Sequence, residues 1–335
     1  MRFNSISGLF PVVTALIGNI AVAVIKFSAA FVSGSSAMFS EAVHSVADTL
    51  NQSLLLVGIR RSMKKPDAEF VYGYGYERFF WALISACGIF FIGAGVTMYN
   101  GISSLIEPNI LEYNPFIFAV LGTSFFIESI TFIIAWRELK RRYPDLSLSQ
   151  RIQRGDPSTL AVFFEDGVAL LGICIAFLAI GLSLLTGSHV YDAMGSIVIG
   201  ILLGGAAMFL ILKNRSFLMG RSIPDEVEED IITMIEEDPA IERVLDFKST
   251  VLNVGIFRIK CEIEFNGNAL LREISESVPL KDAYEDVRED YEEFKKFCVD
   301  YADRIPRLVG KRIDDIEKRI KTKHPSVRYI DIELN

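Results

Sequence analysis

Residues 39–52 read FSEAVHSVADTLNQ, and the apolar LLLVGI of residues 54–59 follows directly. The stretch carries Glu41, His44 and Asp48 between strongly apolar neighbours. Inside hydrocarbon each ionisable group costs on the order of 3 kcal/mol or more. Either the segment stays out of the membrane or its charges have a task there.

The neighbouring sequence settles which. Apolar runs occupy 9–32, 79–104, 114–136, 160–186 and 192–212, each approaching the roughly 20 residues that span a bilayer core. Linker 60–78 carries Arg60, Arg61, Lys64, Lys65 and Arg78. Linker 137–156 carries Arg137, Lys140, Arg141, Arg142, Arg151 and Arg154. The linkers at 33–35, 105–113 and 187–191 contain no Lys or Arg. Basic loops collect on the cytoplasmic side, and both basic linkers share a side only if 36–59 also crosses. The reading is therefore six transmembrane helices with both termini cytoplasmic, and Lys213, Arg215 and Arg221 after the last span agree with it. No cleavable signal stands before the first run, which begins within about ten residues of Met1; a bacterial inner membrane is the expected location.

Composition agrees. The 335 residues are 51% hydrophobic with mean hydropathy +0.35, more apolar than soluble domains usually are. The apolar runs fall before residue 215, while most of the net charge of −8 comes after it. No basic patch with interleaved aromatics suggests nucleic acid. Cys87, Cys174, Cys261 and Cys298 show no CxxC spacing, so buried, reduced thiols are expected rather than a disulfide framework or zinc finger.

Two domains follow: a six-helix transmembrane domain over 1–214 and a cytoplasmic domain over 215–335. In the second, IPDEVEEDIITMIEE predicts an amphipathic helix and ERVLDFKSTVLNVGIFRIKCEIEF two strands around a turn near Asn253–Gly255. LVGKRIDDIEKRIKTKH predicts another helix and VRYIDIEL a last, alternating strand. Helix, two strands, helix, strand describes an α+β ferredoxin-like sandwich. The acidic stretch 277–303 reads as a helical insertion with a solvated face.

On 36–59 the spacing of Glu41, His44 and Asp48 puts all three on one helix face. His44 and Asp48 are one turn apart, so an imidazole nitrogen and a carboxylate oxygen can meet one ion. That pair suits Zn²⁺, and less selectively Mn²⁺, Fe²⁺ or Co²⁺. A His–Asp pair that only packs helices is the plainer alternative. Glu165 and Asp166 form a second acidic site in the fifth span, with side chains about 100° apart around the helix. Glu128 in the fourth span is a partner for Lys26 of the first, or part of a proton path. Asp192 is an N-cap or interfacial residue at the start of the last span, where Gly195, Gly200, Gly204 and Gly205 allow close packing.

SGSSAMFSEAVHSVAD resembles the second-helix signature of the cation diffusion facilitator family, and PDAEFVYGYGYER (66–78) resembles that family's loop. SEAVHSVADTLNQ, RGDPST, the Glu-Asp pair, YDAMGS and LMGRSIP are most similar to its zinc transporter nine branch. The resemblance implies a homodimeric exporter of a divalent cation, zinc first, driven by proton counterflow. It implies His44 and Asp48 as second-helix metal ligands and Asp166 as the second ligand on the fifth helix. Most zinc-transporting members carry a His one turn before that Asp, where this chain has Val162; Phe163 beside it cannot ligate either. Glu165, Glu41 or water fills that place, or the site is three-coordinate; Glu165 is the candidate fourth ligand, and Glu41 otherwise tunes His44 or relays a proton. The cation is cargo, so no resident cofactor is expected. The tail's one histidine, His324, speaks against a tail metal cluster. An intramembrane metalloenzyme would need a second nearby histidine, as in HExxH, which HSVAD lacks. A non-transporting membrane scaffold with an acidic tail is the third reading.

Overall fold

The computed structural model describes all of the chain except residues 1–8, 34–35, 107–114, 143, 145, 189 and 278. The chain divides into two compact units, one Asn4–Met219 and the other built on Gly220–Asn335.

The first unit is helical: α1 (Leu9–Ser33), α2 (Ser36–Ser62), α3 (Glu77–Gly88), a π-helical turn (Ile89–Ala94), α4 (Gly95–Ile106), α5 (Pro115–Arg142), short α6 (Leu148–Arg154), α7 (Pro157–Thr186) and α8 (Val190–Leu218). Among the described residues five segments are long and apolar enough to cross a membrane: Leu9–Ser28, Glu77–Ile106, Phe118–Arg142, Pro157–Ser183 and Ala193–Leu218. The π-helical turn makes α3 and α4 one continuous span. Helix α2 falls short in apolarity because of residues 39–52, yet its 27 residues extend about 40 Å at 1.5 Å per residue. It packs along α1, α3 and α7. Phe91, Phe126 and Leu185 stand exposed on the helices, as side chains facing lipid would.

The interior of this unit is apolar where α2 meets α7: Leu55, Ile59, Leu160, Ala161 and Val162 are buried in one cluster with Ala82 and Leu139. Helix α8 lies close on two neighbours. A Cβ at Gly200 would come within 2.5 Å of Met98 Cγ, and one at Gly195 within 2.7 Å of Ala179 Cβ. Gly205 has nothing within 4 Å of that position, so the expected small-residue stripe packs tightly at only part of its length. Cys261 is buried, whereas Cys174 and Cys298 are exposed and Cys87 half-buried; all four are free thiols, but the expectation that they are buried holds for one.

The second unit contains α9 (Asp225–Glu236), β1 (Ile241–Asn253), β2 (Ile256–Phe265), α10 (Gly267–Ser277), α11 (Leu280–Val287), α12 (Tyr291–Lys323) and β3 (Val327–Leu334). Strand β2 pairs antiparallel with β1 and parallel with β3. The hairpin turns at Val254–Gly255, where Gly255 has φ 76°, a value that glycine adopts without a Cβ penalty. The acidic stretch holds α11 and the start of α12, and α12 runs unbroken from it into the LVGKR helix. Asp290 caps its start, and Asp300–Arg304, Asp303–Arg307 and Glu317–Lys321 pair one turn apart along it, a spacing that supports long exposed helices.

Candidate metal-transport site

Helix α7 begins from a buried polar anchor. Asp156 caps it, its Oδ2 accepting from Thr159 N at 3.0 Å and Thr159 Oγ1 at 2.9 Å, and Pro157 follows at the first helical position. Both choices favour a helix start. The same Oδ2 takes a 3.0 Å ion pair from Arg78 Nη2, and Arg78 Nε donates to Ser158 Oγ at 3.3 Å. Arg78 is fully buried. The start of α3 is thereby tied to the start of α7.

Two turns further, Glu165 and Asp166 are buried, 7% and 3% exposed. Their side chains face different helices. Gln52 Nε2 of α2 donates to Glu165 Oε2 at 2.5 Å, and Asn51 hydrogen-bonds the same carboxyl group. Asp166 meets Thr131 of α5. Gly88 of α3 leaves room for this: a Cβ there would stand 2.9 Å from Asn51 Oδ1. Asp48, half-buried on α2, lies within electrostatic reach of both Glu165 and Asp166.

Of the four predicted site residues, Asp48, Glu165 and Asp166 lie near the α2–α7 contact, with Glu165 turned to α2 and Asp166 to α5. His44 lies on α2 with Glu41, but the side chains of both, and that of Asp192, lie outside the described residues. Among the described residues no three His, Cys, Asp or Glu side chains converge on one point. At this contact Glu165 Oε1, Asp166 Oδ2 and Gln52 Oε1 are buried and accept no hydrogen bond. A buried polar atom without a partner is costly, and a cation satisfies several such oxygens at once.

Val162 is fully buried among Leu55, Ile59 and Leu160, so its position is a dry apolar contact. Phe163 stacks on Phe132 and Trp136 of α5, centroids 5.0 and 5.9 Å apart. Lys26 is buried on α1, which packs against α5, the helix of Glu128. Sequence reasoning overlooked Asn51, Gln52 and Thr131. The signal was the NQ pair directly after HSVADTL, two amides in a membrane segment. It also took Arg78 for a loop charge.

Residues 12–219 match the family description "Cation efflux transmembrane domain". The chain belongs to the cation efflux, or cation diffusion facilitator, family. It is similar to "Proton-coupled zinc antiporter SLC30A9, mitochondrial" of Homo sapiens, 36% identical over 314 residues, 92% of this chain and 55% of that protein. The Xenopus laevis protein of that name is 38% identical over 307 residues, covering 90% and 55%. "Metal tolerance protein C4" of Arabidopsis thaliana is 36% identical over 332 residues, 97% of this chain and 73% of the plant protein. The chain spans about half the length of the antiporter relatives that it matches.

Proposed function

We propose that this chain is a transporter, not an enzyme: a proton-coupled antiporter that exports a divalent cation, zinc first, from the cytosol. The observation that carries the reading is the pair of buried acids on α7, turned towards α2 and α5, with buried oxygens that no donor fills. The family and the names of its relatives agree with it. His44, Asp48 and Asp166 are proposed as ligands. Glu165 is proposed as the fourth, in place of the histidine that Val162 replaces, and its turn towards α2 supports that role. Protons and cation compete because ligands bind metal only when deprotonated, which couples metal efflux to proton entry.

The proposed architecture is six spans, α2 included, ahead of a ferredoxin-like cytoplasmic domain, with the domain change near residue 215 and both termini cytoplasmic. The packing of α2 along α1 and α3 supports its crossing. A homodimer embedded in lipid is proposed as the working form. A bacterial inner membrane fits, and so does a mitochondrial membrane, the setting named for the human relative.

The test is zinc uptake into proteoliposomes with and without a proton gradient, acidic on the side that receives the metal. Uptake should rise with the gradient, and Asp48→Ala and Asp166→Ala should nearly abolish it while leaving the purified protein monodisperse. If both variants transport like the parent, the site is wrong; if uptake ignores the gradient, the antiport mechanism is wrong.

A further inference from the structure

Gln52 stands at an unusual place for an amide. It is 0% exposed, next to the buried amide of Asn51 and one turn before the buried apolar Leu55. It lies four residues after Asp48, as Asp48 lies four after His44, so the three share one face of α2 about 6 Å apart per step. Its Nε2 donates to Glu165 Oε2 at 2.5 Å. Its Oε1 is buried and accepts no hydrogen bond, and neither does Glu165 Oε1 beside that bond. A structural glutamine would be expected to satisfy both ends of its amide. This one spends its donor on a carboxylate and keeps its acceptor unused.

We infer that Gln52 is a specificity-determining residue of the transport site: it pins Glu165 towards α2 and adds its own neutral oxygen as a donor for the cation. The inference rests on the transport reading above. Its chemical consequence concerns selectivity. His44 is the one nitrogen donor in the proposed set, and Gln52 with Glu165 extends the site with oxygen one turn beyond Asp48. Oxygen donors suit harder cations such as Mn²⁺, whereas added imidazole favours Zn²⁺. The lost histidine at Val162 and the added amide at Gln52 therefore act in the same direction, towards a site that accepts Mn²⁺ beside Zn²⁺.

The experiment measures initial uptake of Zn²⁺ and of Mn²⁺ by the full chain in proteoliposomes, for the parent, Gln52→Met and Gln52→His. Methionine keeps the shape but removes the N–H donor and the hard acceptor. It should raise KM for Mn²⁺ about tenfold, the effect of one lost hydrogen bond or contact to a charged group, and raise KM for Zn²⁺ less. Gln52→His should move the Zn²⁺-over-Mn²⁺ ratio of kcat/KM about tenfold towards Zn²⁺. Unchanged KM and metal ratio in both variants overturn the inference, as does a fall in kcat alone, which is what a merely structural residue would give. If Gln52→Met does not yield monodisperse protein, the metal ratio of Gln52→His decides. A parent that transports neither metal overturns the transport reading itself, and the role of Gln52 with it.

Discussion

The Arg78–Asp156 pair allows a test in which charge can be separated from geometry. Asp156 Oδ2 receives Arg78 Nη2, Thr159 N and Thr159 Oγ1, all at 2.9–3.0 Å, whereas Oδ1 accepts nothing. Asparagine can therefore place its single carbonyl oxygen where Oδ2 stands and keep the helix cap, since Asn caps as well as Asp. What Asp156→Asn removes is the negative charge. It removes the Asp156 charge from beside the Arg78 guanidinium, whose side chain is 0% exposed, and breaking a buried pair from one side costs about 3–5 kcal/mol. For a unit of this size that corresponds to a fall in Tm on the order of 10 °C. Arg78→Met should cost less, because Thr159 still solvates the carboxylate. The double variant should be more stable than the sum of the singles demands, by about 2 kcal/mol, since neither charge then lacks a partner. Thermal unfolding in detergent, followed by loss of the monodisperse gel-filtration peak, measures all four proteins. If the two single effects simply add, the pair is not coupled and the reasoning fails.

Three further outcomes follow from the structure. Gly200→Ala should destabilise the bundle by about 1–3 kcal/mol through overpacking against Met98, while Gly205→Ala, with open space around its Cβ, should be neutral or stabilise by up to about 1 kcal/mol; melting of the two variants under one condition compares them. In the loop before α3, Tyr74 donates its hydroxyl to Asp67 Oδ2 at 2.6 Å, and that bond pushes the phenol up to about 12. The folded state holds this proton more tightly than the unfolded chain, so the bond's stabilisation is complete below pH 10 and fades as pH rises towards 12; the ultraviolet titration of the parent minus that of Tyr74→Phe should show one late phenol. In the second unit, Asp230 bonds Lys323 at 2.8 Å and His324 at 2.6 Å, which hold its carboxyl below the usual range. Its contribution is present above pH 4 and lost as pH falls through the lowered value, so Asp230→Ala should narrow the stability gap to the parent in acid unfolding scans.

Most of the membrane unit was legible because long apolar runs leave few alternatives. The strands and the last helix of the second unit were legible because their periodicity changes cleanly from 3.6 to 2. Helix α2 was different: its own composition argued against a span, and only the charge of the loops on either side argued for one. The acidic stretch was legible as helical, but its continuity with the last helix was not: side-chain pairs one turn apart carry α12 on past residue 303 and through Pro306. In the site, carboxylates announce themselves by the cost of burying charge. Gln52 and Asn51 cost less to bury, so composition alone passed over the two amides that orient Glu165.

Arg78 shows why a charge count along a loop needs the fold beside it. A basic residue at the edge of an apolar run reads as a loop charge, and it was counted among those that orient the chain. It is instead enclosed with Asp156, and Lys213 is likewise buried, donating to the backbone carbonyls of Ile152 and Gln153. Neither reports which side of a membrane it is on, because each answers to a partner inside the protein. Arg142, Arg151 and Arg154 are half-buried, and the exposed linker cations are Arg60, Arg61, Lys64 and Lys65 in one linker and Arg137, Lys140 and Arg141 in the other. These are free to respond to the asymmetry of a membrane, and they still lie on one side only if α2 crosses. Only the exposed cations bear on orientation, and the buried ones belong to the assembly of the bundle.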